Sequence, residues 1–149
     1  MTAILDGPAR VSAPARLRGR ISLPSDKSIG HRSLIANALA DGEAEVVLRH
    51  PGADLMSTVA CLRRLGARIE EEVTAPGEHR FVVRGGGWTS PTEALDCGNS
   101  ATTLRLLAGA IAGRGLSAVL DGDGSLRRRP MERVAAPLRA MGAAVTTRD

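Results

Sequence analysis

The segment LIANALADGEAEVVL at residues 34–48 recurs in outline as LLAGAIAGRGLSAVL at residues 106–120. Alanines and the closing Val-Leu pair fall at equivalent positions in the two copies. Further along, LRRLGARI at residues 62–69 lines up with LRAMGAAV at residues 138–145. The chain therefore contains an internal repeat, and units that cannot bury an apolar face alone can stack to share a core.

Each copy has the pattern of a helix, a strand, a second helix and a further strand. In the first copy, residues 29–40 place alanine and leucine on one stripe, which predicts a helix that Asp41-Gly42 ends. Asp54 is a suitable N-cap for the next helix. The other predicted elements of this copy are a strand over residues 16–24, a strand over 44–48, a helix over 55–65 and strands over 67–73 and 79–85.

These elements predict an α/β fold made of repeated βαβαββ units, two of them in this chain. Residues 1–15 resemble a flexible leader rich in alanine and proline, residues 16–92 form the first repeat, and residues 93–149 form a second repeat that need not be complete. A doubly wound nucleotide-binding sheet is the alternative. It is disfavoured because the chain has neither a GxGxxG nor a GxxxxGK[ST] motif.

Composition narrows the classes of function. With 43% hydrophobic and 24% charged residues, the 149-residue chain suits a soluble globular domain. No apolar run approaches the ~20 residues of a membrane span, and no signal peptide is evident, so we expect a cytoplasmic protein. The net charge of +4 favours anionic ligands, whereas one Trp and one Phe disfavour nucleic acid. Cys61 and Cys97 lack CxxC partners, so we expect two reduced thiols without a metal.

The junction before the first helix collects cations and hydroxyls in SDKSIGHRS, residues 25–33. A helix N-terminus attracts anions, and Lys27, Ser28 and Arg32 add side-chain donors at that end. Ser28 and Arg32 are one turn apart and share a face, while His31 points elsewhere and is expected at the surface or in packing. The pattern predicts a phosphate site. An ordinary capped helix with solvated cations is the alternative.

The equivalent junction of the second copy is CGNSATTLRL, residues 97–106. Gly98 lets the backbone approach a ligand closely, and Asn99 with the following hydroxyls offers neutral donors and acceptors. Arg105 follows one turn into the helix. Because equivalent elements of a repeat present matching helix ends, we expect this junction to face the same cleft as the first, although a simple capped helix would also explain it.

The second copy also has a longer loop, DGDGSLRRRPM at residues 121–131. Pro130 suits the first turn of the next helix. Beside that helix N-terminus, the positive charge of Arg129 is unfavourable unless an anion binds, and an arginine fork suits a carboxylate or phosphate. Three adjacent arginines cannot all point one way, and a solvated basic loop is the alternative.

In order along the chain, these motifs resemble the signatures of the EPSP synthase family of enolpyruvyl transferases. LPSDKSIGHRS is similar to the family's PGDKS-SHR, with Ser25 in place of the usual glycine. GNSATTLRL is similar to GNAGT-R, and SLRRRPM is similar to R-RPM. The resemblance implies an inverse α/β barrel fold in two halves, each with three βαβαββ units, and a considerably longer chain than this one.

The resemblance implies a function and a set of residues. Family members transfer the enolpyruvyl group of phosphoenolpyruvate to the 5-hydroxyl of shikimate 3-phosphate, a step towards chorismate and the aromatic amino acids, without a metal or organic cofactor. The implied shikimate 3-phosphate ligands are Lys27, Ser28 and Arg32. The implied phosphoenolpyruvate ligands are Lys27, Asn99, Ala101 and Arg129, with Arg105 and Asp54 as second-tier candidates. The resemblance places the proton-transfer residues outside this chain, so we expect the chain to be inactive alone. It also implies that the full-length protein is a monomer.

Two alternatives stay open. The related UDP-N-acetylglucosamine enolpyruvyl transferases usually have a reactive cysteine in the loop that matches residues 121–129, and this loop has none. A non-catalytic anion-binding module could use the same repeat. Ala101 adds a hypothesis within the first family, because many members have glycine there. Its methyl group would crowd the phosphoenolpyruvate pocket and favour tolerance of the inhibitor glyphosate.

Overall fold

A computed structural model describes residues 18–148, so the predicted leader at residues 1–15 lies outside the described part. Helices and strands alternate, which confirms the α/β class. The elements in chain order are α1 (Lys27–Leu39), β1 (Glu43–Arg49), α2 (Ala53–Arg64), β2 (Arg68–Ala75), β3 (Glu78–Arg84), β4 (Leu95–Asp96), α3 (Ala101–Gly113), β5 (Leu120–Asp121), a 3₁₀ turn (Leu126–Arg128) and α4 (Glu132–Ala140).

The first copy contributes a three-stranded antiparallel sheet in the order β1-β3-β2. Its outer face is a ladder of opposite charges across the strands. Arg84 lies 2.6 Å from Glu43 and 2.5 Å from Glu70, and Arg80 bridges the same two strands through Glu45 and Glu72. Each exposed pair contributes little to stability. Their alternation with apolar residues nevertheless fixes which face of the sheet meets the core.

The inner face of the sheet packs against α1 and α2, and α3 packs against both helices. Phe81 is fully buried at the centre of the sheet, and the Trp88 Nε1–H donates to the Ala38 carbonyl at 2.8 Å. The fully buried leucines of this core come from both copies. They are Leu34, Leu62, Leu65, Leu95, Leu107 and Leu126. The two copies therefore share one hydrophobic core, as the repeat predicted.

The strand predicted over residues 16–24 is wrong for the part that the structure describes. Residues 18–24 have no regular structure, and Ile21 and Leu23 are 80% and 69% exposed. A strand needs a neighbour to accept and donate its backbone hydrogen bonds, and within residues 18–148 none lies beside this segment. The residue that follows is anchored, because the Ser25 N–H donates to the Arg49 carbonyl at 3.0 Å and its Oγ accepts the Arg49 N–H at 2.8 Å.

The second copy is less regular than the first. Its strands β4 and β5 are two residues long and pair in parallel. The predicted strand after the second helix of this copy is absent from residues 143–148, which have no regular structure. No element within the described range lies there to pair with it. In residues 18–148, no helix is both long and apolar enough to span a membrane.

Candidate active site

The N-terminus of α1 holds Lys27 in a defined position. Asp26 caps the helix by accepting the Ile29 N–H at 2.8 Å. Lys27 is the first helical residue, and its Nζ donates to Asp54 Oδ2 at 2.7 Å across to α2. Its side chain is 58% exposed and that of Asp54 29%. The ammonium group is therefore fixed by a carboxylate yet accessible to an anion from solvent.

Asp54 does not have the role that its sequence position suggested. The N-cap of α2 is Gly52, which makes no side-chain capping bond, and Asp54 lies inside the first turn. The prediction of an Asp54 N-cap is therefore wrong. A carboxylate in the first turn still interacts favourably with the helix dipole, and here it also pairs with the Lys27 ammonium group.

Ser28 and Arg32 lie on the same exposed face of α1. The Arg32 Nη1–H donates to the Ser28 carbonyl at 3.1 Å. This bond accounts for one of the five guanidinium donors, so the others can reach a ligand beside Ser28. His31 is fully buried and faces away from them, which agrees with a packing residue rather than a surface one.

The N-terminus of α3 presents the second junction. Ser100 caps this helix by accepting the Thr103 N–H at 3.1 Å. Gly98 precedes it at φ +57°, a left-handed conformation that glycine adopts without steric cost. Ala101 is only 7% exposed, and Arg105 is half-buried one turn later. Asn99 is the exposed side chain at this end of the helix.

Asn99 joins this junction to the longer loop of the second copy. Its Oδ1 accepts from Arg129 Nη2 at 2.7 Å, and its Nδ2 donates to Asp123 Oδ2 at 2.7 Å. The other Asp123 oxygen accepts the N–H groups of Ser125 and Leu126 at 2.9 and 2.8 Å. These bonds, led by that from Asn99, lower the pKa of Asp123. The structure thus brings two predicted residues, Asn99 and Arg129, into direct contact.

Sequence reasoning did not select Asp123, although it holds Asn99 in place. The signal was available, because aspartate before Gly-Ser-Leu is typical of a side chain that caps the following turn. Pro130 was also misplaced. Helix α4 begins at Glu132 with Met131 as its N-cap, so Pro130 precedes the helix instead of occupying its first turn.

The arginines of this loop point in different directions. Arg127 forms a two-pronged ion pair with Asp121, at 2.9 Å from Nε and 2.7 Å from Nη2. That pair, helped by the Gly122 N–H, lowers the pKa of Asp121 to about 2. Arg127 therefore shapes the loop, whereas Arg129 reaches Asn99. This division agrees with the expectation that adjacent arginines cannot all face one ligand.

A buried chain of hydrogen bonds connects the three helix N-termini. His31 Nδ1 lies 2.7 Å from Thr58 Oγ1, which lies 2.7 Å from Thr103 Oγ1. Thr103 Oγ1 is also 2.7 Å from Ser100 Oγ and 3.2 Å from the Asp54 carbonyl oxygen. Asp54 thus contacts Lys27 through its carboxylate and α3 through its carbonyl. Thr103 is one of the hydroxyls that the sequence indicated after Asn99, although as a donor or acceptor for a ligand. The sequence did not reveal Thr58, because threonine on a buried helix stripe resembles an ordinary core residue.

The candidate site is an open surface in this chain. A groove between α1 and β1 is lined by Ile29, Asn37 and Val47, and it contains none of Lys27, Asn99 or Arg129. Within residues 18–148, no cluster of three or more His, Cys, Asp or Glu side chains is placed to bind a metal ion. The site chemistry is that of cations and amides held at helix N-termini, which suits phosphate and carboxylate ligands.

Comparison with known proteins places the chain in a family. The model of EPSP synthase (3-phosphoshikimate 1-carboxyvinyltransferase) matches residues 11–149. A 3-phosphoshikimate 1-carboxyvinyltransferase of Chloroflexus aurantiacus is 53% identical over 142 residues, which are 93% of this chain and 32% of the relative. One of Thermus thermophilus is 50% identical over 143 residues, again with 32% of its length covered.

A solved structure gives the same result. EPSP synthase of Acinetobacter baumannii superposes with a TM-score of 0.75 at 38% identity, covering 88% of this chain and 29% of that one. The chain thus spans about a third of the length of the curated relatives it matches. With the family match over residues 11–149, the conclusion is that this chain belongs to the EPSP synthase family.

Proposed function

We propose that this chain forms one side of the active site of an enzyme that transfers the enolpyruvyl group of phosphoenolpyruvate to shikimate 3-phosphate. The products are 5-enolpyruvylshikimate 3-phosphate and phosphate. The observation that carries the proposal is that a short path of hydrogen bonds links all three motifs. Lys27 contacts Asp54, Asp54 contacts Thr103 beside the Ser100 cap, and the neighbouring Asn99 contacts Arg129.

The two substrates are phosphorylated acids, and the proposed ligands suit them. For shikimate 3-phosphate, they are Lys27, Ser28 and Arg32. For phosphoenolpyruvate, they are Lys27, Asn99, Ala101 and Arg129. Arg129 uses one N–H on Asn99, so its remaining donors can bind a carboxylate or phosphate in the two-pronged manner that arginine allows. Asp54 acts by holding Lys27, and Arg105 is a second-tier candidate one turn into α3.

The rest of the active site belongs to sequence that this chain does not contain. We assign residues 16–92 to a first βαβαββ unit and residues 93–149 to part of a second. The proton-transfer groups would come from the other half of a longer enzyme, so this chain alone should bind ligands without turnover. Phosphorylated substrates cross membranes poorly, which suits a cytoplasmic enzyme, and we expect a monomer.

The test is a chimeric enzyme in which this chain replaces the matching 142-residue segment of the Chloroflexus aurantiacus relative. We expect it to release phosphate only when phosphoenolpyruvate and shikimate 3-phosphate are both present. UDP-N-acetylglucosamine should not replace the second substrate. The proposal fails if the chimaera folds, as judged by circular dichroism, and the parent relative turns over while the chimaera does not. Binding of shikimate 3-phosphate to an inactive chimaera would favour an anion-binding module.

Ala101 makes a further expectation testable in the same enzyme. Its methyl group lies at the first residue of α3, next to Ser100. If it narrows the phosphoenolpyruvate pocket, Ala101→Gly should lower the glyphosate concentration for half-inhibition about tenfold, since one methyl group is typically worth roughly 10- to 200-fold in discrimination. Ala108→Gly, further along the same helix, controls for the effect of glycine on helix stability. Equal sensitivity of the parent chimaera and the Ala101→Gly variant would contradict a role for the methyl group.

A further inference from the structure

Within residues 18–148, the buried polar side chains all belong to one network. His31, Thr58 and Thr103 are fully buried and Ser100 is 1% exposed. They come from three helices and from no part of the sheet. A buried polar group is costly unless it is hydrogen-bonded. These buried polar side chains are concentrated towards the N-terminal ends of α1, α2 and α3, next to the proposed substrate ligands. Such a concentration calls for a specific role.

The tautomer of His31 determines the direction in which the network can run. Each hydroxyl has a single proton to donate, and the Asp54 carbonyl can only accept. If His31 Nδ1 carries a proton, it donates to Thr58. Thr58 then donates to Thr103 at 2.7 Å in preference to the Asp54 carbonyl at 3.4 Å, and Thr103 donates to Ser100 Oγ or the Asp54 carbonyl. Every hydroxyl then has a partner.

The other tautomer is less favourable. It would leave a proton on His31 Nε2, which is buried without a hydrogen-bond partner among the described residues. An unpaired buried N–H donor is rarer and costlier than an unpaired lone pair. Burial is also the main cause that lowers the pKa of His31, with Lys27 and Arg32 adding to it and Asp54 opposing it. The imidazole is therefore neutral at pH 7.

We propose that His31, Thr58 and Thr103 are positioning residues, which use a one-way chain of hydrogen bonds from the His31 Nδ1–H to align the Lys27 and Asn99 ends of the site. The inference rests on the proposed function for its kinetic consequence. At one end, the hydrogen-bond network reaches the backbone carbonyl of Asp54, and the Asp54 carboxylate holds Lys27. At the other end, it reaches the Ser100 cap, which directly follows Asn99.

The first test uses the chain itself, labelled with ¹⁵N. We expect the His31 ring to show a protonated Nδ1 and a bare Nε2, and Thr58→Val to change the Nδ1 shift. Thr103→Val should move the Asn99 side-chain amide signals, whereas Thr103→Ser should leave them in place. Thr74→Val is the control, because Thr74 lies in the distant β2-β3 hairpin and bonds only Glu78 among the residues described. A proton found on Nε2 would overturn the inference.

The second test uses the chimeric enzyme. Thr103→Val should raise the KM for phosphoenolpyruvate about tenfold, as the loss of one buried hydrogen bond implies, and Thr103→Ser should restore it. A purely structural network would lower the melting temperature without changing KM, and that result would overturn the inference. If the unmodified chimaera is inactive, the proposed function fails. The His31 tautomer and the Asn99 signals then decide the inference alone.

Discussion

Lys27→Met in the chimeric enzyme is expected to reduce kcat/KM about 100- to 1,000-fold, the range typical of losing one group that stabilises charge in the transition state. Methionine keeps the length and apolar stem of lysine and removes only the ammonium group. The loss has a second part, because Asp54 would then be left as an unpaired carboxylate beside the proposed sites of two anionic substrates. Steady-state kinetics with each substrate varied in turn measures the effect.

Two controls separate the charge of Lys27 from its surroundings. Asp54→Asn keeps the ammonium group and removes its anchor, so we expect a smaller loss, about tenfold. Arg49→Met removes another exposed cation, which pairs with Glu78 outside the site, and should leave kcat/KM nearly unchanged. A Lys27→Met enzyme with kcat/KM within about threefold of the unmodified chimaera would rule out a role for this ammonium group in binding or turnover, against the loss that such a group normally contributes.

The composition of the chain permits a direct measurement as well. Lys27 is the only lysine among the 20 basic residues Lys and Arg, and all the others are arginines. An amine-selective reagent therefore reports on Lys27 and the terminal amino group alone. Shikimate 3-phosphate should protect Lys27 from modification in the unmodified chain, and inorganic sulfate at the same concentration should protect less. Equal protection by both anions would indicate a site that recognises charge alone.

The motif positions could be predicted from the sequence because their chemistry is local. A cap, a cation and a hydroxyl within one helical turn define an anion-attracting end wherever the helix lies. Lys27 and Ser28 at α1 and Asn99 beside α3 are candidates selected in this way. Their mutual contacts could not be predicted, since Lys27 and Asp54 meet only when two helices pack.

Other features depend on tertiary structure in the same way. A valine and a threonine have nearly the same shape, so the hydroxyl group of Thr58 becomes informative only when His31 and Thr103 are placed beside it. The strand predicted over residues 16–24 failed for a related reason. Alternating residues specify a strand with one buried face, but a strand forms only where a neighbour completes its hydrogen bonds.

Gly122→Ala is expected to separate the loop before α3, residues 97–100, from the longer loop of residues 121–131. Gly122 lies against the loop before α3. An added Cβ at Gly122 would overlap the Gly98 carbonyl oxygen and the Leu126 side chain. The same carbonyl accepts the Asp123 N–H at 2.9 Å, which ties the loops together. Because backbone cannot yield as a flexible side chain can, the loops must move apart.

That movement would pull Asp123 and Arg129 away from Asn99. We expect the free energy of unfolding of the chain to fall by about 1–3 kcal/mol, the usual cost of overpacking. The KM of the chimeric enzyme for phosphoenolpyruvate should rise about 10- to 100-fold, since the contribution of a charge-assisted hydrogen bond to binding would be lost. Urea denaturation of the chain and steady-state kinetics of the chimaera measure the two effects.

Gly124→Ala is a matched control two residues along the same loop. A Cβ at Gly124 would meet only the Arg128 Nη1 atom, at 3.6 Å, which is ordinary van der Waals contact. This variant should bind phosphoenolpyruvate as the unmodified enzyme does. If Gly122→Ala and Gly124→Ala give the same KM, the contact between the two loops does not set the position of Asn99. Arg129 would then have to bind its ligand independently of that residue.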